Sequence, residues 1–275
     1  MTFHPRLGCS SISFRHLDLA SALDTMAGLG FGEMDLGALP GVCDHVPYQL
    51  DEAAVAASAR TVQASGLTVR SINGDIGDLN RPLGATDRSA RTGHLQLLLA
   101  LAVQTGARAL VLPCGALSHE PVRSLAEDLD LVAAELAAAA ALAADAGIEL
   151  WTESLHFFRL CWNTQLARQL TERLAGTGVG VVMDFSHIVA SGGDPEQFVD
   201  LFHPQIRHVH LRDAVPGNIN LSIGNGAANF EAGLKALAGM GYAGHFSLEL
   251  ETRDVTNAER PAAAARAAAY ISDLI

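Results

Sequence analysis

The chain has 275 residues, 49% of them apolar and 17% charged, and a formal net charge of −12; that length suits one large domain, and the balance excludes a disordered chain. An acidic surplus repels phosphate backbones and anionic lipid, which argues against nucleic acid or a membrane surface as partner. Residues 1–20 hold no basic cluster followed by an apolar core, no apolar run reaches membrane length, and Cys9, Cys43, Cys114 and Cys161 form no C-x-x-C pair, so a reducing cytoplasm is the expected setting.

Short β-like runs alternate with longer helical ones along the whole chain. Residues 7–14 read as a first strand, followed by an amphipathic helix over 17–28 that Gly30 ends. A second strand spans 32–36, with a turn-rich loop around Asp44, His45 and Pro47, then a helix over 51–65 stopped by Gly66. Strand 67–73, a polar loop, helix 86–105, strand 107–113 and a long Ala/Leu helix over 120–146 complete the first half. The second half repeats the pattern: strand 148–152, helix 163–175, strand 179–185, helix 194–202, strand 206–211, helix 229–239, strand 245–250 and helix 257–274.

Eight strand–helix units without a linker imply parallel pairing by right-handed crossovers and point to one closed (β/α)₈ TIM barrel over residues 1–275. No G-x-G-x-x-G follows the first strand, which counts against an open dinucleotide-binding sheet. A barrel places its chemistry at the carboxyl ends of its strands. Of the basic residues only Lys235 is a lysine, and it falls in the 229–239 helix. Schiff-base aldolase chemistry needs a desolvated lysine at a strand end and has none here.

The last four strands each deliver ionisable groups at their carboxyl ends. W-T-E-S-L-H brings Glu153, with His156 and Arg159 in the loop behind it; V-V-M-D-F-S-H brings Asp184 and His187; R-H-V-H-L-R-D sets His208 and His210 on one side of the strand, with Asp213 beyond; and F-S-L-E-L-E aims Glu249 and Glu251 one way. Charges so close to a packed core are costly unless paired or bound to metal. Glu153, Asp184, His210 and Glu249 together make an oxygen-rich ligand set with room for substrate, suited to Mn²⁺, Mg²⁺ or Co²⁺, with Mn²⁺ expected.

On these motifs, together with L-G-F-G-E-M-D-L, I-G-N-G-A-A-N-F and G-H-F-S-L-E-L, the sequence resembles the xylose isomerase-like barrel superfamily of sugar isomerases and epimerases. The resemblance implies that Glu153, Asp184, His210 and Glu249 bind the metal, Glu249 being favoured over Glu251 because it follows Gly244 by five residues. It implies too that Glu153 and Glu249 are the catalytic acid–base pair, moving a proton beside a carbonyl while the metal stabilises the developing enediolate, and that His187 contacts substrate.

Two features depart from the ketose 3-epimerases of that superfamily. Arg159 stands where they carry a second substrate-binding glutamate, and their arginine after strand seven has no match near Pro216 and Gly217. Arg159 suits a substrate carboxylate instead, and His156 offers a second polar contact. The barrel nuclease endonuclease IV is rejected, because the histidines its three metals need are absent after strands three and four and in the 215–223 loop. The expected reaction is isomerisation or epimerisation of an unphosphorylated keto sugar or sugar-derived keto compound. A lyase eliminating a β-substituent from a 3-keto-glycoside or keto-acid shares its first half-reaction, and a non-catalytic sugar-binding barrel is the third reading. A homo-oligomer is also expected.

Overall fold

Apolar runs bounded by glycines and acidic caps become the staves of a closed sheet. The computed structural model describes residues 3–275. Its barrel strands are β1 (Leu7–Ser10), β2 (Glu33–Ala38), β3 (Thr68–Gly74), β4 (Ala109–Pro113), β5 (Glu149–Glu153), β6 (Gly180–Asp184), β7 (Ile206–Leu211) and β10 (His245–Leu248). A two-stranded hairpin, β8 (Asp213–Val215) with β9 (Asn218–Leu221), interrupts the alternation after β7. The barrel closes in the order β1-β10-β7-β6-β5-β4-β3-β2 with every neighbouring pair parallel. This is the TIM barrel expected from the alternation of elements.

The helices surround it: α1 (Leu19–Leu29), α2 (Glu52–Ser65), α3 (Ala85–Thr105), α4 (Leu125–Asp145), α5 (Thr164–Arg173), α6 (Phe185–Ala190), α7 (Pro195–Phe202), α8 (Phe230–Gly239) and α9 (Arg260–Ser272). Several begin on a side chain that satisfies their first free amides. Asp18 caps α1, Asp51 caps α2, and Ser124 with Glu127 forms a capping box on α4. Left-handed Gly30, Gly66 and Gly106 close α1, α2 and α3. One large apolar cluster fills the layer between barrel and helices, from Leu7 and Phe14 to Ala268 and Ile271.

Inside the barrel the packing is smaller and more polar. Ala109, Val111, Trp151 and Val182 form a separate apolar plug. Trp151 fits because its register partner is Gly180, where a Cβ would stand 2.8 Å from the indole and 2.4 Å from Arg207. At the amino-terminal mouth Glu33 pairs with Arg70 at 2.6 Å and with His245 at 2.9 Å. All four cysteines are buried and unpaired, and Lys235 sits exposed on α8.

Four local readings from sequence are corrected. The first strand stops at Ser10, because the Ser10 hydroxyl accepts the Ile12 amide and turns residues Ser11–Phe14 into a 3₁₀ turn. The long fourth helix starts at Leu125 and not near 120, where Ser124 caps it. Short helix α6 begins directly on Asp184, and the β8–β9 hairpin occupies part of a stretch read as loop.

Candidate metal and active site

β5 and β6 end on carboxylates, Glu153 and Asp184, while β7 carries His210 and Glu249 follows β10 by one residue. The parallel register sets Asp184 level with His210, and the Glu249 amide donates to Leu211 O at 3.2 Å, continuing the pairing of β10 with β7. One donor atom from each of Glu153, Asp184, His210 and Glu249 lies within 4.8 Å of all the others. His210 Nδ1 stands 3.1 Å from Glu153 Oε1 and 3.5 Å from Glu249 Oε2.

The electrostatics of the cluster call for added positive charge. Burial, helped by the charges of Glu249 and Asp184, pushes the Glu153 carboxyl up to about 7. Burial disfavours an imidazolium, yet Glu249, Asp35 and Glu153 raise His210 well above its ordinary value. Asp184 splits its two oxygens. Oδ1 accepts the Ser186 and His187 amides at 2.6 and 3.1 Å and caps α6, whereas Oδ2 is buried without a hydrogen-bond partner. An orphaned carboxylate oxygen facing two further carboxylates and an imidazole fits a hard divalent cation.

Two other groupings of metal-binding side chains, Asp35 with His208 and His210, and Glu153 with His156 and His187, fit less well. The first is sealed, all three residues being 0% exposed, so no position stays open for a substrate. In the second, His156 Nδ1 accepts the Phe158 amide and His187 Nδ1 accepts the Phe157 amide, while the Arg212 guanidinium stands 3.4 Å from His187 Nε2, so a cation placed there would meet a fixed positive charge.

The sealed group instead lies behind the ligand set. Asp35 Oδ2 is 2.8 Å from His208 Nε2 and 3.5 Å from His210 Nε2, and its Oδ1 accepts the Ser71 amide and hydroxyl at 3.1 and 2.8 Å. Despite burial, His208 and His210 hold the Asp35 carboxyl well below the usual range. Asp35 thus places a negative charge behind His210 Nε2, on the side away from Glu153 and Glu249; once a cation took Nδ1, the one remaining proton would rest on Nε2, toward Asp35. Asn73 Nδ2 likewise donates to Glu249 Oε1 at 3.0 Å, leaving Oε2 to face His210.

His187 and His156, the expected substrate contacts, do line the cavity beside Glu153. Their rings stack with centroids 3.9 Å apart, and their Nε2 atoms lie 3.8 and 3.7 Å from Glu153 Oε2. Burial, with Arg212 close to His187, keeps both imidazoles well below their ordinary value and hence neutral. Arg159 borders the cavity too, with its guanidinium held by Asp75 at 2.8 Å and by Gly115 O at 2.8 Å and only 7% exposed. It fastens three loops together, and a substrate carboxylate reaching it would compete with Asp75.

Sequence reasoning missed Arg212, which is 1% exposed at the end of β7. Its guanidinium lies 3.6 Å from Asp184, 3.9 Å from Glu249 and 3.3 Å from Glu251. The signal was present: His208, His210 and Arg212 follow the period of two that turns alternate residues inward. A guanidinium therefore reaches the site from the strand itself and not from the loop near Pro216 and Gly217. Asp213, one residue on, accepts amides from Ala214, Gly224, Gly226 and Ala228 at 2.8–3.0 Å. Gly226 is required there, since a Cβ would stand 2.2 Å from Asp213 Oδ1.

Two of the four clustered residues, Glu153 and Glu249, open on a cavity of about 270 Å³ at the carboxyl-terminal mouth, which His156, His187 and Arg212 also border; Asp184 and His210 lie beneath them, 1% and 0% exposed. Among the described residues no helix is long and apolar enough to cross a membrane. A protein-family model described as xylose isomerase-like TIM barrel matches residues 23–274. The uncharacterized protein ML2432 of Mycobacterium leprae is 33% identical over 87 residues, a match spanning 31% of this chain and 31% of that relative. Two solved structures superpose over 98% of this chain and 99% of their own. They are the 3-keto-D-glucoside 4-epimerase YcjR of E. coli, at TM-score 0.76 and 18% identity, and the IOLI protein with a bound zinc atom, at TM-score 0.79 and 16% identity.

Proposed function

Because the chain belongs to the xylose isomerase-like TIM-barrel family, we propose that it is a divalent-metal-dependent sugar isomerase or epimerase, acting on an unphosphorylated keto sugar or sugar-derived keto compound. One observation carries this reading: Glu153 and Glu249 converge on the same point as Asp184 and His210, with Asp184 Oδ2 left unpartnered between them. Glu153, Asp184, His210 and Glu249 would hold the cation, Mn²⁺ by preference and Mg²⁺ or Co²⁺ as alternatives. When bound, it would supply electrophilic stabilisation of negative charge developing beside a carbonyl.

The chain's own residues supply the proton chemistry. One of the two glutamates removes the proton from the carbon next to the carbonyl, and the other returns a proton, to the neighbouring carbon in isomerisation or to the opposite face of the same carbon in epimerisation. Asn73 orients Glu249 through Oε1, so that Oε2 is the atom that moves a proton. His187 and His156, both neutral, offer their Nε2 atoms to substrate hydroxyls beside Glu153. Arg212 fixes Glu249 and Asp184 from behind and restrains the charge of a site rich in carboxylates.

The test is solvent isotope exchange. Metal-stripped protein reloaded with Mn²⁺ and offered a panel of ketoses, keto-acids and 3-keto-glycosides in D₂O is expected to place deuterium on the carbon beside the carbonyl. Glu153→Gln and Glu249→Gln are each expected to slow that exchange by about a hundredfold or more. Full exchange in both variants would overturn the assignment, and an elimination product in place of an isomer would make the protein a lyase.

A further inference from the structure

Single exposed apolar side chains are ordinary on a protein surface, but several gathered at one opening are not. Val42, Leu117 and Phe158 are 37%, 66% and 44% exposed, and all three border the cavity that holds Glu153 and Glu249. They come from three separate loops, following β2, β4 and β5; the loops of Leu117 and Phe158 are joined by His119 Nε2 on Phe157 O at 2.6 Å. The loops after β7 and β10 bring polar groups, Asn220, Glu251 and Arg253, to the same rim, and Arg15 joins Glu251 to the Val42 carbonyl.

These loops are held in place. Val42 sits in a turn closed by its own amide on Leu39 O at 3.0 Å. The residue before Leu117 is pinned by Asn80 Oδ1 on the Ala116 amide and by the Leu160 amide on Ala116 O. The Phe158 amide donates to His156 Nδ1, and its ring lies 5.1 Å from that of Phe157. An apolar surface fixed in advance and continuous with a site for polar chemistry suits a ligand that is polar at one end and apolar at the other.

Resting on the reading of the site given above, we propose that the substrate is a keto-glycoside with an apolar aryl or alkyl aglycone, and that Val42, Leu117 and Phe158 form the subsite for that aglycone. The sugar ring enters between Glu153 and Glu249, and the aglycone lies outward against those three side chains.

The test compares methyl and phenyl 3-keto-β-D-glucopyranosides, with a panel of free ketoses alongside, by kcat/KM for deuterium incorporation in the Mn²⁺-loaded protein. The phenyl glycoside is expected to exceed the methyl glycoside by about tenfold or more. In a Leu117→Asn, Phe158→Ser double variant that ratio is expected to fall toward one. Equal rates for the two glycosides, or exchange with free ketoses and with neither glycoside, would overturn the subsite and leave the proton-transfer reading standing. No exchange with any compound would overturn both. Sedimentation of the double variant provides a second check: an oligomer that dissociates while the phenyl-to-methyl ratio persists would make the apolar rim a contact between copies of this chain and overturn the proposal.

Discussion

A carboxylate whose oxygens are used differently shows how a residue can serve fold and site together. Asp184 Oδ1 starts α6, and Oδ2 is buried without a hydrogen bond, its nearest cation being Arg212 at 3.6 Å. Leaving a buried acceptor unsatisfied costs about 1–3 kcal/mol, so a native structure keeps one where a partner is expected to arrive. Asp35 also serves from within the barrel: it touches no cavity, bonds Ser71 and His208, and stands 3.5 Å from His210 Nε2 on the side away from the cluster. Asp35→Asn is expected to weaken Mn²⁺ binding by roughly 10–100-fold, read by electron paramagnetic resonance of free Mn²⁺; unchanged affinity would show that His210 is oriented from elsewhere. The four-residue cluster was legible in sequence because a charge directly after an apolar run is anomalous at four successive strand ends. Arg212 was legible only through the period of two it shares with His208 and His210, and Asp35 was not, because a countercharge inside the barrel becomes visible only when its partner's position is known. The ion pair of Arg159 was hidden for the related reason that its partner, Asp75, lies on a loop distant in sequence.

Among the elements, α4 shows how a helix start can hold a functional loop. Asp128, in its first turn and 0% exposed, accepts the Val122 and Arg123 amides at 2.7 and 3.3 Å and the Asn80 side-chain amide at 2.8 Å; Asn80 in turn holds the loop that carries Leu117. Burial alone would raise the Asp128 carboxyl, but these donors bring it below the ordinary aspartate value. A carboxyl depressed on folding contributes stability that is complete above about pH 4 and lost as pH falls through its folded value. Asp128→Asn is therefore expected to lower the urea midpoint at neutral pH, by about 1–3 kcal/mol of stability, and to flatten the decline in stability below pH 4. A variant as acid-sensitive as the parent would count against this anchor. Most helices and strands could be read from sequence because apolar period and capping residues agree. The exceptions are short: residues 11–14 continue an apolar run but turn on a serine hydroxyl, and the β8–β9 hairpin has too few residues for alternation to register.

At the scale of the molecule, the proposed ligands come from β10, β7, β6 and β5, four adjacent strands of the closed sheet. A cation there links half of the barrel wall through bonds that exist only in the folded state. Adding Mn²⁺ at about 100 times its dissociation constant is expected to stabilise the protein by about 2.7 kcal/mol, a rise in Tm of roughly 5–10 °C by differential scanning calorimetry. EDTA is expected to reverse the rise, and a Tm indifferent to both would argue against a structural cross-link of these strands. The barrel itself followed from eight strand–helix alternations, whereas the character of its mouth did not, since that depends on how far each loop leans over the opening. One part of the rim sets a limit on what can enter. Barrels frequently seat a substrate phosphate on free amides in the loops after their last two strands, and here Asp213 occupies the amides of Gly224 and Gly226. A tethered competitor of this kind acts at an effective concentration in the millimolar range or above and never diffuses away. A phosphate seated on those two amides would have to displace Asp213, so this stretch of the rim is closed to such a group by the chain's own carboxylate.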